Sequence, residues 1–137
     1  LSSVDAKVFK TMFNECSKTE TIPICKVDLC KSDDERCKIR KPYLPMFLVA
    51  TDVEGVTLDD ISKSIQRLER LGLLNIEFIT WCDDDEIYSK LLDNDHIKST
   101  VLQVSEIAGD TYIAKADLKG VLVLSDFARD FAKVCLR

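Results

Sequence analysis

The stretch TLDDISKSIQRLERLGLLNIEFITW, Thr57 to Trp81, constrains the fold more than any other part of this chain. Thr57 is a good helix N-cap, because its hydroxyl can accept from a backbone N–H that the helix leaves unpaired. Asp59 and Asp60 follow in the first turn, where the positive end of the helix dipole favours carboxylates. Leu58, Ile61, Ile65 and Leu68 fall on one side, so the pattern predicts a core-packed helix from Thr57 to Leu71. Gly72 then ends it, since glycine adopts the left-handed C-cap conformation without steric cost. Leu73 to Trp81, rich in Ile and Phe, reads as a strand. A helix that stops at a glycine and runs straight into a strand belongs to a mixed α and β fold.

The flanking segments extend this pattern in both directions. LSSVDAKVFKTMFNEC offers Ser2 or Ser3 as N-cap, with Val8, Phe9, Met12, Phe13 and Cys16 recurring at helical spacing. Ile22, Ile24 and Val27 suggest a short strand, placed at a sheet edge because Pro23 lacks a ladder donor. CKSDDERCKIRKP is too polar to bury and predicts a solvated loop. Tyr43 to Ala50 fits either a helix with Pro45 in its first turn or a buried extended segment. After Trp81 the spacing predicts two short helices broken near Asn94, one carrying Ile87, Leu91 and Leu92, the other Ile97, Val101 and Val104. TYIAKADLKGVLVLS alternates on both sides of Asp117 and Gly120, a hairpin signal. Ser125 then caps a closing helix with Phe127, Phe131, Val134 and Cys135 on one face. The order of elements resembles an α+β, winged-helix-like domain. The hairpin would be its wing, and about residues 82 to 109 would be a helical insertion between the first wing-side strand and that hairpin.

A chain of 137 residues, 46% hydrophobic and with no linker-like run or repeat, is expected to form one domain over 1–137. Its start at Leu1, without a methionine, suggests a piece of a longer protein. Acidic residues outnumber basic ones 24 to 19, for a net charge of -5. That balance opposes sequence-independent nucleic-acid binding, which needs many cations to displace phosphate counterions. No apolar run approaches the roughly 20 residues that span a bilayer, and no signal peptide is visible, so a soluble, cytoplasmic protein is expected. The six cysteines lack a Cys-x-x-Cys pair. The expectation is reduced thiols, with neither a zinc site nor a disulfide framework.

Candidate binding residues lie on the central helix and on the expected wing. Lys63, Gln66, Arg67 and Arg70 point away from the apolar side and are of the types that contact phosphates or base edges in a major groove. The same residues also suit a plain solvated face, with Asp59 four positions before Lys63 as a helix-stabilising pair. Recognition helices enter the groove by their N-terminal residues, and here those are Asp59 and Asp60, which phosphates repel. Lys115 and Lys119 could add backbone contacts from the wing. Nothing points to catalysis: His96, the single histidine, sits at a polar helix start, and Asp83, Asp84, Asp85 and Glu86 lack the spacing and glycine of a calcium loop. Phosphate loops, nucleophile elbows and zinc-protease motifs are missing from the sequence. The expectation is a non-enzyme without metal or cofactor.

LSSVDAKVFKTMF, IPICKV, ISKSIQRLERLGLL and VLVLSDFARDFAKVCL resemble the C-terminal region of the abortive-infection alpha family of bacterial proteins. Where that family usually shows LTPFG before the last helix, this chain has LSDFA, with Ala128 in place of glycine. The resemblance implies a role in bacterial defence against phage and carries over no catalytic residues. With no catalytic motif in the sequence, the expected role is a winged-helix-like interaction module that contacts a protein partner or the protein's own upstream region. The alternative is a sequence-specific DNA-binding regulator using the 57–71 helix.

Overall fold

Alternate residues of one central strand face two different hydrophobic clusters, and this sets the architecture. The strand, β1 (Ile22–Lys31), sends Ile22 and Ile24 into one cluster and Cys25 and Val27 into the other. Successive side chains of a strand point to opposite faces, so a strand buried on both sides must have a layer on each. The computed structural model describes residues 1–37, 40–49, 51–78 and 85–135. In chain order these form α1 (Ser3–Thr19), β1, β2 (Arg40–Leu48), α2 (Leu58–Arg70), β3 (Leu74–Glu77), α3 (Asp85–Asp93), α4 (Asp95–Ala108), β4 (Tyr112–Leu124) and α5 (Asp126–Cys135). The fold is α+β, with an antiparallel sheet in the order β2-β1-β4-β3.

The first cluster gathers Val8, Phe9 and Met12 of α1, Ile61, Ile65 and Leu68 of α2, and Ala128 and Ala132 of α5 against Ile22, Ile24, Leu122 and Leu124. Caps fix where these helices begin: Ser2 accepts from the N–H of Asp5, Thr57 from that of Asp60 and Ser125 from that of Ala128. The Ser125 hydroxyl also donates to the Gly72 carbonyl, tying the start of α5 to the turn that ends α2. The second cluster is built by α3 and α4, whose Tyr88, Leu91, Ile97 and Val104 cover Cys25, Val27, Leu48 and Ala114. The Tyr88 hydroxyl donates to the Gly120 carbonyl at 2.7 Å.

The helix expected from Thr57 to Leu71 is α2, and the break near Asn94 separates α3 from α4. Of the two readings open for Tyr43 to Ala50, the extended one holds for residues 43–48, which are part of β2. Three expectations need correction. β1 is interior rather than an edge strand. Among the described residues its pairing with β2 begins at Cys25, and Pro23 pairs with Val121 of β4. No hairpin turns at Asp117 and Gly120. Tyr112–Leu124 is one strand, paired with β1 from Tyr112 to Leu122, and its register shifts between the partners of Lys26 and Asp28. Asp117 falls within that bulge. Gly120 serves a close approach, because a Cβ there would lie 2.5 Å from the Glu77 carbonyl oxygen and 2.7 Å from the Phe78 ring. Finally, α5 buries Ala128 and Ala132, whereas Phe127, Val134 and Cys135 are exposed and Phe131 is half-buried. Helices α3 and α4 lie between β3 and β4. Trp81 and the expected strand residues from Ile79 lie outside the described residues.

One pair of cysteines departs from the expectation of reduced thiols. Cys30 and Cys37 form a disulfide, with Cα atoms 5.3 Å apart. The cause is local: turns in which Lys31 and Asp34 accept from the N–H groups of Asp34 and Cys37 fold the polar segment after β1 back on itself. Cys16 and Cys25 are buried, and burial pushes the Cys16 thiol up to about 11. Cys82 lies outside the described residues.

Candidate functional site

The polar face of α2 was the expected contact surface, and its cations are largely engaged within the fold. Lys63 pairs with Asp59 one turn earlier, Nζ to Oδ2 3.1 Å, with both side chains about half exposed. Arg67 reaches to α1. Its Nε lies 3.1 and 3.0 Å from the two Asp5 carboxylate oxygens, and its second terminal nitrogen lies 2.8 Å from Oδ1. Ser64 adds a hydroxyl that donates to the same Oδ1 at 2.6 Å. Asp5 is only 5% exposed and Ser64 is fully buried. The Arg67 guanidinium holds the Asp5 carboxyl below the usual carboxylate range, against the opposing effect of burial. The Arg67 pKa rises in turn.

Desolvating a carboxylate is expensive, and the fork of a guanidinium with a buried hydroxyl is the donor set that offsets it. Arg67 therefore braces α1 against α2, in the middle of the expected strip. Gln66 is half-buried and Arg70 is exposed at the C-terminal end of the helix. Lys115 and Lys119 lie along β4, each half-buried, and not at a wing tip. Lys119 sits with its Nζ 5.5 Å from the ring centre of Tyr88, across the sheet from α1 and α2. The six residues thus do not share one surface.

Asp5 is the residue that sequence reasoning missed. Its place three residues after the Ser2 cap explains it as a first-turn acid, a sufficient role in one dimension. No local spacing connects positions 5 and 67. Around the start of α2, a cleft of about 600 Å³ is lined by Asp52, Thr57 and Asp59 together with Ser99, Thr100 and Gln103 of α4. Its charges are acidic, which repels phosphate. Among the described residues, no group of three or more His, Cys, Asp or Glu is arranged to hold a metal, and no helix is long and apolar enough to cross a membrane. Asp83 and Asp84, and the side chains of Asp85 and His96, fall outside the description.

The sequence matches the family model described as abortive infection alpha over residues 1–135, and the chain belongs to that family. No curated protein and no solved structure matches it.

Proposed function

We propose that this chain is a non-enzymatic, winged-helix-like interaction module of a bacterial, cytoplasmic phage-defence protein, contacting a protein partner or its own upstream region. Membership of the abortive infection alpha family supports the defence role. The winged-helix comparison draws on strands β1, β4 and β3, adjacent in that order, with α1 and α2 on one face. In this comparison β2 stands where a second helix is usual, and the α3–α4 insertion replaces the wing. The observation that carries the choice of protein over DNA is the Asp5–Arg67 brace: the central cation of the strip is committed to α1. A contact surface is available instead on α5, where Phe127 is 57% and Val134 72% exposed beside half-buried Phe131. Exposed apolar groups clustered in this way mark interaction sites. A cytoplasmic setting has to accommodate the Cys30–Cys37 disulfide, because reducing compartments keep such pairs open. The reading therefore requires a domain that folds with that pair reduced.

The test is a binding selection on random duplex DNA, with Lys63→Glu and Arg70→Glu as controls and Arg67 left in place so that the fold is untouched. No consensus and no sub-micromolar affinity is expected near physiological salt, whereas specific regulators commonly bind at about 10⁻⁸ M or tighter. A recovered consensus that the double variant no longer binds would overturn the proposal in favour of a DNA-binding regulator.

A further inference from the structure

We propose that the Cys30–Cys37 bridge is a reversible redox switch whose moving part is the segment from Lys31 to Cys37. The two ends of the bridge are held differently. Cys30 is the last buried residue of β1, 1% exposed, and pairs with Arg40 on one side and Ile113 on the other. Cys37 is 6% exposed but belongs to no strand or helix. The residues between them, KSDDER, have no apolar side chain to bury. Lys31, Ser32, Asp33, Glu35 and Arg36 are exposed and Asp34 is half-buried. A segment without an apolar anchor opens by itself, at far lower cost than the core beneath it. Its turns are short-range: the N–H groups of Asp34 and Cys37 donate to the carbonyls of Lys31 and Asp34, and that of Arg36 to the Asp34 carboxylate. The Ser32 N–H ties the segment to the start of β4 through the Thr111 carbonyl at 2.9 Å. Cys37 has a φ of 49°, in the left-handed region that a residue with a Cβ adopts at a steric cost. The bond to Cys30 opposes that cost, so cutting it favours the open segment.

The exchange partner is a dithiol–disulfide couple. A thiolate of the dithiol attacks the Cys37 sulfur, which reaches solvent when the segment opens. The bond to Cys30 breaks, and the Cys30 sulfur leaves as a thiolate that takes up a proton. The second thiol of the reagent then attacks the mixed disulfide, loses its proton and expels the Cys37 thiolate, which is protonated in turn. Two electrons and two protons pass to the protein, the reagent becomes its own disulfide, and the reverse sequence closes the bridge. Closed, the segment presents Lys31, Asp33, Glu35 and Arg36 on one fixed turn next to Thr111. Open, those four charges disperse. In the cytoplasmic setting proposed above, where thiols are kept reduced, the open form is the resting one and an oxidising shift closes it. Only this assignment of the resting form rests on that reading, and the switch is separate from the α5 surface.

Reducing the native chain with dithiothreitol, then alkylating it and mapping the labelled peptides, tests the chemistry. Without denaturant, Cys30 and Cys37 are expected to become labelled while Cys16, buried in the first cluster, stays protected. Amide exchange reads the motion. In the reduced chain the N–H groups of Ser32, Asp34, Arg36 and Cys37 should exchange at least about tenfold faster, as in a locally opened segment, and those of α2 at the parent rate. Glutathione disulfide, added after the reductant is removed, should restore the slow rates. Cys30→Ser with Cys37→Ser should show the fast rates with or without reductant, and the untouched chain decides the matter if that variant does not fold. Reduction that needs denaturant, or labelling of Cys16 as fast as Cys37, would make the bridge a lock that yields only with the whole fold. Equal exchange in the two redox forms, or failure to close again, would also overturn the proposal. None of these outcomes bears on the α5 contact.

Discussion

Replacing Asp5 with asparagine removes the charge that Arg67 and Ser64 both serve, and leaves a buried amide facing donors. Hydrogen bonds to charged groups contribute about 1.5–3 kcal/mol, and the half-exposed Arg67 side chain lies at the screened end of that range, so a loss of about 1–3 kcal/mol is expected. Its pH dependence identifies the cause. The folded-state pKa of Asp5 is lowered, so its contribution is fully present above the unfolded value of about 3.9 and is lost as pH falls through the folded value. Urea unfolding of the two proteins should therefore show a constant gap from neutral pH to about 5 that closes below about 4. A gap under about 0.5 kcal/mol at pH 7, the usual size for surface sites, would mean that the brace contributes nothing. The disulfide gives a second expectation at this scale. Closing a loop this short limits the unfolded chain by about 2.5 kcal/mol at most, so Cys30→Ser with Cys37→Ser should lower the unfolding temperature yet keep a single cooperative transition. Collapse of that transition would make the bridge essential and remove the case for a reducing compartment.

Elements with a local signature were legible, and those fixed by neighbours were not. The Thr57 cap, the apolar side of α2 and Gly72 agree with one another over a single turn-by-turn pattern, and the Asn94 break is marked by a residue whose side chain accepts from the N–H of Ile97. By contrast, Asp117 and Gly120 are turn residues by type, and only the long pairing with β1 and the nearness of Phe78 make them a bulge and a close approach. Helix α5 shows the same limit more sharply. Its aromatic stripe has the period of a core face, yet the buried side is Ala128 and Ala132, whose small side chains pack into the first cluster. Phe131 reaches only the edge of that core, against Phe9 at 5.7 Å between ring centres. Paired substitutions separate the two faces. Ala128→Leu should cost about 1–3 kcal/mol by overpacking, whereas Phe127→Ser should stay within about 0.5 kcal/mol. The reverse order in denaturant unfolding would restore the aromatic stripe as the core face. The candidate site was legible only as residue types: the sequence places Lys63, Arg67 and Arg70 on one polar face, but the partner that claims Arg67 is 62 residues away.

At the scale of the whole molecule, the sheet is covered on both faces, and the second cover is α3 and α4. An antiparallel sheet can leave one face to water when that face is polar. Here Cys25, Val27, Leu29 and Ala114 line the face beneath α3 and α4, so removing those helices would leave an apolar face of the four-stranded sheet uncovered. A variant can put this to the test by replacing the segment between Phe78 and Tyr112 with a flexible linker of roughly ten residues, long enough at about 3.3 Å per residue to run back along β4. It keeps every strand, α1, α2 and α5, and therefore the whole first cluster. It loses the Tyr88 bond to Gly120 and lays bare a contiguous apolar surface of the kind that drives association. The expected outcome is loss of cooperative unfolding with dye binding typical of exposed apolar surface, or self-association on gel filtration. A monomer that unfolds as sharply as the parent would show instead that the first face alone stabilises the fold, and that α3 and α4 are an appendage to it.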